Sequence, residues 1–363
     1  MIRITGPWLK GKTLSNISRL LPATIVAAAT LAGTVHAAPP LPPPDGKANP
    51  QMKAVLVELA RLTPVPPFKL TPAQVRKGPG PPDAVKAVLK KEGKPITPEP
   101  VAKVMDTTVP GPSGPIPVRV YTPEGSGPMP VVVYYHGGGW VISSIQGYDS
   151  SCRAMANLTK SVFVSVGYRL APEHKFPASH EDSYAALQYV MKNATKFGGD
   201  PKRVAVMGES AGGNLAASVC LMARDRKGMM PIYEVNVYPI AGYNLDTPSY
   251  RANAMAIPLS KPFMAWFFRY VLKSPKDGQS PLINIDRTNL KGLPPATVIT
   301  DQIDPLMSEG KMFADNLKKH NVPVQYKNYD GVSHEFFGMG AVVDEAKEAN
   351  QFAADGLKSA FNK

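Results

Sequence analysis

Five residues of this 363-residue chain, Gly208-Glu209-Ser210-Ala211-Gly212, stand between a short apolar stretch at 203–207 and a run in which Leu215, Val219 and Met222 recur at helical spacing. A serine on a sharp strand-to-helix turn has its hydroxyl pushed out of the sheet edge, within reach of a substrate. Gly208 and Gly212 suit such a turn, because backbone passes close to a residue held in a strained conformation and a Cβ there would clash. The Ala211 amide falls in the first helical turn, where unpaired N–H groups and the positive dipole end favour a developing oxyanion. Five residues alone also describe an ordinary capped helix start. The strand before, the helix after and the partners elsewhere in the chain decide for a nucleophile.

The second constellation is a run of β-formers at 131–135 that ends in His136-Gly137-Gly138-Gly139-Trp140. A strand running into glycines exposes bare amides, and preorganised backbone donors facing the negative oxygen of a tetrahedral intermediate are usually the largest single contribution to acyl transfer. The N–H groups of Gly138 and Gly139 are the candidates to join that of Ala211 in an oxyanion hole. A large ring directly after the glycines reads as a packing anchor, which argues against a merely flexible loop. His136 precedes the nucleophile and belongs to this loop, so it reads as a structural hydrogen-bonding residue.

Together, the HGGGW loop, the GESAGG turn and the intervening Tyr168-Arg169-Leu170-Ala171-Pro172-Glu173-His174 resemble the hormone-sensitive-lipase-like family of α/β-hydrolases, from about Gln51 to the C-terminus. The resemblance implies carboxylic-ester hydrolysis by a Ser-His-Asp triad under a helical cap, with no metal and no organic cofactor. Chain order in that fold is Ser, then Asp or Glu, then His. Of six histidines, only His320 and His334 follow Ser210. His320 sits at the end of an amphipathic helix before Pro323, where a cation suits the helix dipole and solvent. His334 lies on the loop after the last core strand and can swing over the sheet edge, which makes it the general base and acid. The family's Asp-Pro-Leu is matched by Asp304-Pro305-Leu306, so the resemblance assigns Asp304 as the acid that orients the imidazole. Asp301, after the same strand at 296–300, is the runner-up or a loop cap.

Four positions depart from the family pattern: Glu209 where aspartate is usual, Gly167 where an acidic or amide residue usually stands, Ser308 where a second aspartate is common, and Glu335 where glycine commonly follows the histidine. Either added glutamate, if close to His334, raises the imidazole pKa.

The elements that must position these groups follow from periodicity. Strands are expected at 101–109, 118–121, 131–135, 162–168, 204–207, 234–238, 296–300 and 324–329. Helices alternate with most of them, the signature of a mainly parallel, eight-stranded sheet covered on both faces, here in an α/β-hydrolase fold with a helical cap. Ala185, Leu187, Tyr189 and Val190 mark one covering helix, and Asp200-Pro201 reads as the loop entering the nucleophile strand. Residues 38–95 are assigned to the cap, with one helix carrying Met52, Val55, Leu56, Leu59 and Leu62 on one face and another starting at Thr71-Pro72. The catalytic domain takes 96–363. An insertion at about 245–285, rich in Met264, Trp266, Phe267, Phe268 and Tyr270, reads as ordinary helix core, as the second part of the cap roofing an acyl pocket, or as both.

The first 37 residues carry Arg3, Lys10, Lys12 and Arg19, no acidic residue, an apolar stretch at 20–31 and a small-residue Val35-His36-Ala37 site, and so read as a secretory signal peptide. The apolar stretch is short of the roughly 20 residues a spanning helix needs, so the expected mature chain is exported, periplasmic or secreted, without a stable membrane span. The net charge of +13 owes four cations to this segment, and the remaining lysines are scattered. No basic stripe with interleaved aromatics supports nucleic-acid binding. The expected partner is a small-molecule ester, and the sequence is compatible with a homodimer. In the resembled fold Cys152 and Cys220 fall on helices packed on opposite faces of the sheet, so both are expected as free, buried thiols. Short- to medium-chain acyl groups are favoured by a closed pocket. Amide or lactone hydrolysis on the same scaffold, and a non-catalytic ligand-binding homologue, are the alternatives.

Overall fold

A computed structural model of the chain describes residues 47–362, and the expected signal peptide at 1–37 lies outside them. All eight expected strands are present, as β1 (Lys103–Gly111), β2 (Gly114–Thr122), β3 (Met129–Tyr135), β4 (Val162–Val166), β5 (Gly199–Glu209), β6 (Glu234–Val237), β7 (Ala296–Ile303) and β8 (Val324–Ser333). They form one sheet in the order β1-β2-β4-β3-β5-β6-β7-β8. The β1/β2 and β2/β4 pairs are antiparallel and every pair from β4 to β8 is parallel.

Burial follows from this topology. Residues 131–135 of β3 and all of β4 are buried, as expected of parallel strands covered on both faces. Edge strand β1 is mostly exposed. Side chains alternate across the sheet, so Val131, Val133 and Tyr135 enter one hydrophobic layer while Val132 and Tyr134 enter the other. One expectation is corrected: Asp200-Pro201 lies inside β5 rather than in a loop before it. The β3/β5 register shifts between Met129 and Val131, and proline, which cannot donate to a ladder, is tolerated at such an irregularity.

Ten α-helices are described: α1 (Pro50–Leu62), α2 (Pro72–Lys77), α3 (Pro81–Lys91), α4 (Asp149–Thr159), α5 (Ala178–Lys192), α6 (Ala211–Asp225), α7 (Pro248–Ala252), α8 (Lys261–Val271), α9 (Met307–Lys319) and α10 (Asp344–Phe361). Leu187 of α5, Leu215 of α6 and Leu317 of α9 join the Val131 side, whereas Met155 of α4 and Ala349 and Leu357 of α10 join the Val132 side. The α2 start follows from local chemistry: the Thr71 hydroxyl accepts from the Gln74 amide, the Gln74 side chain returns to the Thr71 amide, and Pro72 takes the first position. In α1 Met52, Val55, Leu56 and Leu59 of the expected stripe are buried, and Leu62 at its end is half-buried. Cys152 and Cys220 are free and buried, one in each layer. No helix among the described residues is long and apolar enough to cross a membrane.

Candidate active site

Strand β5 runs straight into α6 through a single residue, Ser210, whose backbone has φ 58° and ψ −118°. A non-glycine residue there is strained, and the surroundings hold it: the Ser210 amide donates to the Val237 carbonyl at 2.9 Å. The turn is tight enough that a Cβ on Gly208 would overlap the Gly212 carbonyl, and one on Gly212 the Tyr135 carbonyl. Those two glycines are required by close backbone approach, not by their own dihedrals.

Beside this turn lies the loop after β3. Gly138 and Gly139 have φ of +95° and +57°, and a Cβ on Gly139 would overlap the Phe267 ring of α8. The N–H groups of Gly138, Gly139 and Ala211 donate to no acceptor among the described residues. Trp140 is fully buried and packs near Phe268 and His180, as an anchor should. His136 is buried, stacked on Tyr168 at 4.3 Å, and its Nδ1 lies 2.8 Å from the Gly137 carbonyl. Burial lowers its pKa to about 4, so this imidazole is neutral.

His334, after β8, places Nε2 at 2.9 Å from Ser210 Oγ and Nδ1 at 2.7 Å from Asp304 Oδ2. Asp304 is buried, and its Oδ1 accepts from the Leu306 amide at 2.8 Å. A carboxylate only accepts, so the Nδ1 position carries the proton and Nε2 is left to accept from the serine hydroxyl. Of the other post-serine histidine, Nδ1 lies 2.9 Å from the Asn316 carbonyl at the end of α9; His320 is half-buried and remote from this group. Ser210, Asp304 and His334 are thus brought together.

Asp301 is placed differently from a loop cap. It is fully buried, neither of its oxygens receives a donor, and it faces Asp304 and His334, the ligand atoms of all three lying within 4.8 Å of one another. Burial, and then the adjacent Asp304 carboxylate, push the Asp301 carboxyl well above the usual range. Asp301 is thereby pushed toward its neutral form. This trio is also the one group among the described residues compact enough to share a metal ion, but its His334 Nδ1 and Asp304 Oδ2 already face each other across a hydrogen bond.

Both glutamates that depart from the family pattern lie close to the imidazole. Glu209 is buried behind the serine and accepts from the Tyr134 and Tyr238 hydroxyls, each at 2.5 Å. Burial first, and then Glu335, raise its pKa to about 7. Glu335 accepts from the Tyr148 hydroxyl at 2.6 Å, with the same Oε1 4.0 Å from His334 Nε2. For His334, burial alone would lower the pKa, but Asp304, Glu335 and Glu209 together hold it above the ordinary imidazole value.

Sequence reasoning missed the tyrosines. Tyr238 lies with its ring 4.6 Å from that of His334, and Tyr148 stands 187 positions from its glutamate partner. The alternation of β3 signals that Tyr134 and Tyr135 face opposite layers, but nothing in the spacing signals Tyr148. Arg76 of α2 was missed too: it donates to the Val141 and Ala171 carbonyls and pairs with Glu173, tying α2 to the glycine loop. A cavity of about 370 Å³ lies beneath α2, lined by Phe68 and Val75 from the N-terminal segment and Ile257 and Phe263 from the 245–285 insertion. Gly138, Tyr148 and Glu335 also line it, whereas Ser210 and His334 do not.

A sheet of this order, with a serine on a strand-to-helix turn at its centre, defines an α/β-hydrolase. The family described as alpha/beta hydrolase fold matches residues 132–338. Carboxylesterase NlhH of Mycobacterium tuberculosis is 37% identical over 252 residues, covering 68% of this chain and 79% of that one. Ethyl acetate hydrolase of Pseudomonas putida is 30% identical over 251 residues, covering 67% of this chain and 78% of its own length. The solved structure of a hyperthermophilic esterase from Pyrobaculum calidifontis superposes with a TM-score of 0.77 at 38% identity, over 86% of this chain and 98% of that one. This chain belongs to the hormone-sensitive-lipase-like family of α/β-hydrolases.

Proposed function

We propose that the protein is a carboxylic-ester hydrolase for short- to medium-chain acyl esters, working through an acyl-enzyme on Ser210. The observation that carries the reading is the unbroken series Asp304 Oδ2, His334 Nδ1, His334 Nε2 and Ser210 Oγ, at 2.7 and 2.9 Å across its two hydrogen bonds. The esterase names of the relatives support the same reading.

In the proposed first half-reaction the Ser210 hydroxyl adds to the ester carbonyl while its proton passes to His334 Nε2. Asp304 holds the imidazole in the tautomer that can accept it and stabilises the imidazolium that forms. The free amides of Gly138, Gly139 and Ala211 are the donors for the oxyanion, with the last also at the positive end of the α6 dipole. His334 then protonates the departing alcohol. In the second half-reaction water attacks the acyl carbon with His334 as base.

The preference for short acyl groups rests on the cavity, whose volume of about 370 Å³ is modest and whose lining includes apolar side chains from the two segments proposed as the cap. With a panel of p-nitrophenyl esters and the matching anilides, the acetate and butyrate esters are expected to turn over fastest and the palmitate slowly. Anilides turning over faster than esters would favour the amide hydrolase instead.

The charges around His334 set a pH dependence. Only neutral imidazole accepts the serine proton, so activity falls as pH drops through the His334 pKa, which Asp304, Glu335 and Glu209 hold above the ordinary value of 6.5. The acid limb of kcat/KM for an uncharged ester is therefore expected above that value. Glu335→Gln, which removes one of those charges, is expected to move the limb to lower pH. A limb at or below the ordinary value in the wild type contradicts the electrostatic account.

A further inference from the structure

We infer that Glu335 is the residue that positions the deacylating water, an inference that rests on the esterase reading above. Oε1 of Glu335 is 4.0 Å from His334 Nε2, the nitrogen that also faces Ser210 Oγ. Two polar atoms at that separation are too far apart for a direct bond and close enough for one water to touch both. The carboxylate reaches this place from the wall of the substrate cavity, with about one fifth of its side chain exposed there. A carboxylate has about four lone-pair sites, and Tyr148 occupies one of them.

Two features of the chain hold the group there. Tyr148 fits between Glu335 and the glycine loop because Gly137 has no side chain: a Cβ at that position would overlap the Tyr148 hydroxyl. Glu335 itself has φ +72°, a backbone region that glycine enters freely and glutamate does not. Strain kept at a residue whose side chain faces the reacting groups points to a use for that side chain.

In the step assigned here, the water donates one hydrogen bond to Glu335 and presents its other proton to His334 Nε2. Its oxygen attacks the acyl carbon of the Ser210 ester while Nε2 takes that proton. The tetrahedral intermediate collapses with cleavage of the bond between the carbon and Ser210 Oγ, and His334 returns the proton to Oγ. The carboxylic acid leaves, and Glu335 ends the step unchanged.

The test is burst kinetics with p-nitrophenyl acetate on the full protein, comparing wild type, Glu335→Gln, Glu335→Gly and Tyr148→Phe. Both Glu335 variants are expected to keep a fast burst of one nitrophenolate per enzyme and to lose roughly ten- to a hundredfold in the steady-state rate that follows, the scale of a misplaced reactant. Tyr148→Phe is expected to show a weaker form of the same defect. Added formate is expected to restore part of the steady-state rate in Glu335→Gly, where it can enter the vacated space, and none in the wild type; a merely structural role predicts no such rescue. A slowed burst with unchanged deacylation, or steady-state rates equal to wild type in both Glu335 variants, overturns the inference. Wild-type protein that releases no nitrophenolate at all sinks the esterase reading instead, which keeps the two failures apart.

Discussion

Ser210→Ala is expected to reduce turnover of p-nitrophenyl acetate by about 10⁶ while the protein stays folded. The loss is large because the serine, the imidazole and the carboxylate act as a unit, so removing the nucleophile forfeits nearly all that they provide together. The fold should tolerate it because the substitution deletes one oxygen whose single hydrogen-bond partner is His334 Nε2. The strained turn is fixed by backbone contacts that alanine keeps, among them the Ser210 amide to the Val237 carbonyl. Turnover within tenfold of wild type, in a variant with unchanged thermal unfolding, would mean that some other group attacks the ester.

The next largest effect is expected from Asp304→Asn. An amide can present N–H where the carboxylate accepted the imidazole proton, which favours the wrong tautomer, and turnover should fall by roughly 10³ to 10⁴. Asp301→Asn is expected to do much less. Asp301 sits beside the pair, buried and with its carboxyl pushed toward the neutral form, and it accepts no bond from the imidazole. Replacing a carboxyl that is pushed toward its neutral form by a neutral amide of the same shape changes the charge around the imidazole little. Both aspartates belong to the end of β7 and its following turn, so unchanged thermal unfolding of each variant is the necessary control. Should Asp301→Asn be the crippling change and Asp304→Asn the mild one, the two residues exchange roles.

The sheet was legible because its strands are buried on both faces, and continuous β-branched runs such as Val131-Val132-Val133 have few other folded uses. Boundaries were less so. At Asp200-Pro201 the turn-like dipeptide masks a strand that proline can enter because the register slips beside it. The residues that converge at the site came from three kinds of signal: a motif with its flanking periodicity for Ser210, elimination by chain order for His334, and family resemblance for Asp304. Contacts between distant segments left no such trace. Tyr148 and Glu335 meet only because a short helical turn at Ile145–Tyr148 and the end of β8 are folded against one glycine. The raised carboxyl of Asp301 depends on its burial beside Asp304, which spacing does not encode.

The central claim is that ester cleavage runs through a covalent bond to Ser210, and active-site titration with a fluorophosphonate reads it directly. Treated protein, digested and mapped by mass spectrometry, is predicted to carry a single phosphonyl group on Ser210, with ester hydrolysis lost in proportion to labelling. Label on a different serine, or hydrolysis that persists when Ser210 is fully blocked, would contradict the account.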